Sequence, residues 1–368
     1  MISNIKQREE IIEKKLKPFC SFKGELNNPL LAPRGVCCFN NFLVVGDTGQ
    51  NRVIIWKNFL FNQHQKADIV IGQLEQNTTE RNGGTFISAA TLQYPSGVWT
   101  NGEILIVADA WNHRVLIWNK MPQRNGQPAD IVIGQKDFNS NQPNVLGIGK
   151  KCSAHTLYWP YGIDSNGKEL WIADTGNRRV LYFKNIPTSN FEAADEVIGQ
   201  NSFSERDYDN ENAVWPYSVK LSKTGALAIT DTQYYRVLVW NHWKDAISKK
   251  LPIIIGQPDM QSSGQNQFQL KPSATTLSWC YDACFFKKGI AIADTGNSRI
   301  VIRDCIPLEN NSIADSLIGQ INFNIHGETS LSMKTEINNE MYWPFSVFSN
   351  EEELILADTG NHQILFYK

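Results

Sequence analysis

Asp164, Lys220 and Asp282 are the residues whose types best suit chemistry, and each falls at or beside one variable position of a repeated strand. Two carboxylates and an ammonium brought together form either an ion pair or, with the carboxylates free, part of an oxygen site for a hard divalent cation. The two carboxylates alone make an incomplete ligand set. Sulfur sites are less well supported. Cys280 and Cys284 lie four residues apart, about 13 Å along an extended strand, too far to share an ion without a bulge. Neighbouring Cys37 and Cys38 point to opposite faces of a strand. These cysteines read as structural thiols. The histidines are scattered, and no glycine-rich phosphate loop or Ser-His-Asp order appears. No catalytic set, metal site or cofactor is therefore predicted, and a divalent metal beside Asp164 and Asp282 stays open as an alternative.

What would position these residues is a repeat. Leu170-Trp-Ile-Ala-Asp-Thr-Gly-Asn-Arg-Arg-Val-Leu-Tyr-Phe183 is two alternating apolar runs around a polar turn, the pattern of a β-hairpin. The same pattern recurs around Asp47, Asp109, Asp231, Asp294 and Asp358, at a period of about sixty residues. Each unit holds four strands: A after a Pro, B before the turn Asp, C after the turn, and D ending at Gly-Gln. Six such units predict an all-β, six-bladed β-propeller of four-stranded antiparallel blades over residues 33–368. Residues 1–32 stand apart, with a short amphipathic helix expected over Asn4–Lys17 and a strand at Phe19–Phe22. The sixth unit reaches Lys368 after strand C, so Phe19–Phe22 is expected to supply its strand D, close the ring and form a single domain with the repeats.

Repeated residues read as frame. Gly49, Gly176, Gly296 and Gly360 are expected at positive φ in the turn. Five turn Asp residues have an Arg five positions later, which predicts a buried, hydrogen-bonded pair in each hairpin. Blade six has Gln363 instead, leaving Asp358 without that Arg. Strand alternation puts the B–C turns and D–A connections on one rim. The interval from Gly-Gln to the next strand A varies while the C–D length is constant, so the D–A face is the expected functional face. Around it lie Arg34, Tyr161, Tyr217, Tyr281 and Phe345, a mixed aromatic and cationic rim suited to a partner. The preceding positions, Tyr94, Trp159, Trp215, Trp279 and Trp343, are expected to bury between blades. Asp164, Lys220 and Asp282 are placed at the channel.

Aromatic-Pro-x-Gly-Val followed by Asp-Thr-Gly-Asn-x-Arg-Val resembles the NHL-repeat family, whose name triplet survives in part in Asn112-His113 and Asn361-His362. The resemblance spans about residues 30–368 and implies the propeller fold. It also implies alternatives: related amidating lyases hold zinc with propeller histidines, related lactonases hold a central calcium, and some animal members bind RNA. The lyase histidines have no match at the strand starts here.

With 35 basic and 37 acidic residues the net charge is −2, which gives no global attraction to nucleic acid or an anionic membrane. No apolar run suffices to span a bilayer, Met1–Lys17 is too charged for a signal peptide, and seven cysteines without paired spacing fit a reducing compartment. The expectation is a cytoplasmic, non-enzymatic binding or scaffold propeller, with a protein or peptide partner on the D–A face and no nucleic acid or membrane partner. A metal-dependent hydrolase or lyase acting at the channel is the alternative.

Overall fold

The computed structural model describes residues 17–208, 211–327, 341–350 and 352–368. Six antiparallel four-stranded sheets are arranged as blades, each ordered A to D in sequence in blades one to five. Blade three shows the pattern: A is Pro160–Ser165, B is Leu170–Asp174, C is Arg179–Phe183 and D is Glu196–Ile198. The A strands of successive blades lie beside one another in a closed ring, so they line the axis and the D strands face outward. Alternate side chains of B and C are buried between blades, giving an apolar layer at each seam.

The ring closes as the sequence implies. Cys20–Phe22 pairs antiparallel with Gln363–Tyr367, strand C of blade six, in the register Cys20 to Phe366 and Phe22 to Ile364. Phe22 then packs edge-on against Trp56 and Phe59 of blade one. The helix expected over Asn4–Lys17 lies outside the described residues. Two elements had no sequence signal: a hairpin of Gly24–Glu25 with Asn28–Pro29, and a helix, Trp243–Ile247, in the C–D connection of blade four.

The turn pairs form in five blades. Arg52, Arg114, Arg179, Arg236 and Arg299 donate from Nε to Asp47, Asp109, Asp174, Asp231 and Asp294 at 2.6–2.9 Å, with every side chain fully buried. The other Asp oxygen accepts a backbone N–H from the incoming connection, as Tyr158 N to Asp174 at 2.7 Å. The guanidinium donates to carbonyls on both sides, as Arg179 to Phe203 O, Ser153 O and Thr156 O. One ion pair thus ties the hairpin to the two loops flanking it. The D-strand glutamine adds a tie, with Gln135 Nε2 donating to His113 O and Gln142 O.

One detail differs from expectation. The turn glycines are not at positive φ; that conformation falls two residues later, on Asn51, His113, Arg178, Tyr235, Ser298 and His362. Glycine is required because the incoming chain crosses it: a Cβ on Gly176 would lie 2.7 Å from Tyr158 O, the carbonyl its own N–H bonds. A second detail goes beyond expectation: Asp358 has no Arg, as expected, and Gln363 Nε2 donates to it at 2.7 Å and Asn361 Nδ2 at 2.8 Å. Gln363 in turn accepts from Ser21 on the closing strand, so the substitution coincides with ring closure.

Breaking a buried pair strands a charge, whereas losing the neutral amide removes one hydrogen bond. Arg179→Ala is expected to cost about 3–5 kcal/mol in urea unfolding, and Gln363→Ala about 1–3 kcal/mol. Equal costs would deny the charged pair its special place.

Candidate functional site

Strand A of each blade opens at the D–A rim, and its second residue turns inward over the axis. Arg34, Tyr161, Tyr217, Tyr281 and Phe345 meet there as a contiguous set. Tyr161 stacks on Tyr217 at 4.6 Å and 13°, Tyr217 meets Tyr281 edge-on at 4.7 Å, and Tyr281 lies 4.2 Å from Phe345. Arg34 closes the circle, its guanidinium carbon 3.7 Å from the Phe345 ring centre and its Nη1 donating to Tyr217 Oη at 3.4 Å. Burial works against the Arg34 charge, but Tyr217 and Tyr94 around it leave its pKa raised. Burial also pushes the Tyr281 phenol up to about 12. Below the ring the cavity is only about 30 Å³. The five residues therefore stopper the channel, with Tyr217 and Phe345 buried and Arg34, Tyr161 and Tyr281 partly exposed at its mouth.

The outer aromatics correct one expectation. Trp279 and Trp343 are 43% and 44% exposed, while Tyr94, Trp159 and Trp215 are half-buried, so this set lies on the rim and not between blades. Tyr94, Trp159, Trp279 and Trp343 have left-handed φ, and the turn of the preceding blade takes the backbone N–H of three of them: Trp159 N to His113 Nδ1, Tyr94 N to Asn51 Oδ1 and Trp343 N to Ser298 Oγ. His113 is thus a frame acceptor, and burial lowers its pKa to about 4.

The sequence reading missed Trp111, which stands where four other blades have the turn Gly and stacks on Tyr94 at 4.6 Å and 10°. It also missed the exposed loop residues Phe86, Leu146, Ile148, Phe268 and Leu270, all in D–A connections. Apolar residues amid polar loop sequence were their signal.

Deeper in the channel, Asp164, Lys220 and Asp282 converge. Lys220 Nζ is 3.9 Å from Asp282 Oδ1. Burial opposes the Lys220 charge, yet Asp282 and Asp164 raise its pKa. Asp164 accepts from Leu221 N at 2.7 Å, and Asp282 accepts from Ser346 Oγ at 2.9 Å and Val347 N at 3.1 Å, so each carboxylate bridges to the next A strand. Desolvation raises the Asp164 pKa to about 6 against the pull of Lys220. The ammonium stands where a divalent ion would sit and the carboxylate oxygens are engaged, so these residues do not fit a metal. Among the described residues no group of three or more His, Cys, Asp or Glu side chains is placed to hold one. Cys37 and Cys284 line the same space, and burial pushes the Cys37 thiol up to about 12, which suppresses thiolate chemistry.

No family model matches the chain, and no curated protein matches its sequence. Solved structures do match its shape. Hydrazine synthase from Kuenenia stuttgartiensis is similar with a TM-score of 0.51 at 11% identity, over 92% of this chain and 96% of that one. Virginiamycin B lyase from Staphylococcus aureus gives 0.48 at 9% identity, over 94% and 97%. A nidogen/laminin complex gives 0.43 at 12% identity, over 78% and 85%. At these identities the likeness concerns the propeller fold alone. No helix among the described residues is long and apolar enough to cross a membrane.

Two outcomes follow from the channel. Lys220→Ala leaves two buried carboxylates without their cation, so the variant should melt below the wild type at pH 7, and calcium should not restore it because the carboxylate oxygens stay engaged; a calcium-dependent rise in the variant's melting temperature would show that they can converge on an ion. Asp164 binds its proton more tightly folded than unfolded, where its pKa is about 3.9. Its contribution to stability therefore falls as pH rises from about 4 to 6. Relative to wild type, Asp164→Asn should gain stability in urea titrations on going from pH 4.5 to 7.

Proposed function

We propose that this propeller is a non-enzymatic binding or scaffold protein that recognises a protein or peptide partner on its D–A face. One observation carries the reading: exposed aromatic and apolar side chains gather on that face, from Trp111, Trp279 and Trp343 on the rim to Phe86, Phe268 and Leu270 on its loops. Large rigid rings bury much area at low entropic cost, and surfaces rich in them are the usual anchors of protein recognition. Arg34, Tyr161, Tyr217, Tyr281 and Phe345 form the centre of the contact, and the outer tryptophans form its perimeter. The variable D–A loops would set partner choice on an otherwise repeated frame. The near-neutral charge favours a protein over nucleic acid, and the reading places the complex in the cytoplasm without a cofactor.

The hydrolase or lyase alternative draws less support, because Lys220 neutralises the carboxylates it would need. Trp279→Ala with Trp343→Ala tests the binding reading, since both rings are exposed and their loss should leave the melting temperature unchanged within about 1 °C. Photo-crosslinkers placed at Phe86 and Phe268 should capture a partner in cells, and the double variant should lose it at least tenfold. Capture unaffected by the variant, or confined to the opposite face, would sink the proposal.

A further inference from the structure

The outer edge of each D strand raises a separate question, because an exposed strand edge is a template for another chain. Three seams answer it in the same way. In blade one, Val70 N donates to Asn125 Oδ1 at 3.0 Å and Val70 O accepts from Gly126 N at 2.9 Å. In blade two, Val132 makes the same pair with Asn190 and Phe191, at 3.0 and 2.8 Å. In blade four, Ile254 makes it with Asn310 and Asn311, at 2.9 and 2.8 Å. Each time the cover is the C–D connection of the following blade.

Those covers share a sequence: Met121-Pro-Gln-Arg-Asn125, Ile186-Pro-Thr-Ser-Asn190 and Ile306-Pro-Leu-Glu-Asn310. The apolar residue packs against the core, with its N–H bonded to the A–B turn of its own blade at Glu103 O, Lys168 O or Lys288 O. Four residues on, the Asn side chain accepts from the strand edge. The next residue, Gly126, Phe191 or Asn311, takes a left-handed φ of 55–57° and donates back. Apolar-Pro-x-x-Asn is therefore a self-recognition motif of this fold, with a defined bidentate contact to one backbone unit.

Between blades five and six no described residue plays this part. Strand D of blade five is Ser316–Ile318, and Leu317 occupies the place of Val70, Val132 and Ile254. Strand D of blade six arrives from Cys20–Phe22, so strand C is not joined to it by a connection of the repeated kind. A groove of about 490 Å³ lies at this seam, with Phe286, Ile302, Ile318, Leu354 and Tyr367 among its walls. It offers the two features the motif satisfies elsewhere: apolar wall residues, here rimmed by Lys287, Lys288, Arg303 and Lys368, and a strand edge whose outward N–H and C=O at Leu317 meet no partner among the described residues.

We propose that this seam is a second docking site, independent of the D–A face, which takes a partner polypeptide carrying apolar-Pro-x-x-Asn. The partner's apolar residue fills the socket beside Ile302, Ile318 and Leu354. Its Asn accepts from Leu317 N–H, and the following N–H donates to Leu317 C=O, adding a short cover to the sheet edge.

The test uses the full chain and a labelled synthetic peptide of residues 184–195, whose own motif is Ile186-Pro-Thr-Ser-Asn190. Fluorescence anisotropy should show saturable binding, weakened at least roughly tenfold by Asn190→Ala in the peptide. Leu317→Pro in the protein should abolish it, since proline on an outer edge removes the outward donor and is tolerated there. Should that variant misfold, hydrogen exchange on the wild type decides: the Leu317 amide should exchange faster than those of Val70, Val132 and Ile254, and slow when peptide is added. The rim double variant Trp279→Ala with Trp343→Ala should bind the peptide unchanged, which separates this site from the D–A face. No saturation, indifference to Asn190, or a Leu317 amide already as protected as its equivalents would overturn the proposal; the last result would mean that the chain covers this edge itself.

Discussion

A buried Asp–Arg pair at five of the six hairpins is the interaction on which the rest of this propeller depends. Taking both charges out of water is costly, and the cost is offset only because every donor and acceptor finds a partner. Asp174 shows the completeness of the arrangement: one oxygen receives Arg179 and Asn177, the other the backbone of Tyr158. Arg179 spreads its remaining N–H groups over carbonyls at residues 153, 156 and 203. The pair therefore specifies where the loop enters and leaves the rim, beyond merely stabilising a turn. In blade six an uncharged amide performs the same task with fewer bonds, and there the chain gains the closing strand as an additional neighbour.

Fixing the loop roots makes the D–A face a place for variation. The loops differ in length between equally spaced pins, and their apolar tips stand out because the backbone beneath them is held by Asp, Arg and Gln. A second tie joins blades to one another: the turn Thr of one blade donates to the strand-opening carbonyl of the next, as Thr175 to Pro216 and Thr295 to Pro344. Blade two has Ala110 at this position and lacks that donor. Its neighbouring Trp111 instead stacks on Tyr94 of the same blade, and Tyr161 of blade three lies edge-on to that ring, so an aromatic contact crosses the seam that lacks the hydroxyl.

Much of this was legible because repetition turns a weak signal into a strong one. One Asp-x-x-x-x-Arg spacing says little, whereas five in register with a constant frame dictate blades, pairing and closure. The same repetition misled where a residue's type was visible but its geometry was not. The turn glycines suggested positive φ, but what they accommodate is a carbonyl from a connection eighteen residues earlier, a contact no local pattern reveals. The rim tryptophans suggested burial by their size, but a left-handed backbone at Trp159, Trp279 and Trp343 sets them on the rim. Asp164 was visible in a position that differs from blade to blade, and Asp282 as a carboxylate where its equivalents are Gly or Ser. That Lys220 stands close to both depended on the radius of the ring, which strand order alone does not supply.

Ring closure and the uncovered seam have one cause. A propeller whose last blade takes its outer strand from another part of the chain joins its two halves through strand pairing, and Cys20, Ser21 and Phe22 do this against Phe366, Leu365 and Ile364. The same exchange removes the link from C to D in that blade, and at three other seams that link covers the strand edge of the preceding blade. Closure thus protects one edge, that of Gln363–Tyr367, and leaves another, that of Ser316–Ile318, outside the repeating pattern. Elsewhere the apolar residue of the cover seals the base of the seam, as Met121 and Ile306 do. Without it a groove of about 490 Å³ opens between blades five and six, at a position fixed by topology and not by a local irregularity of sequence.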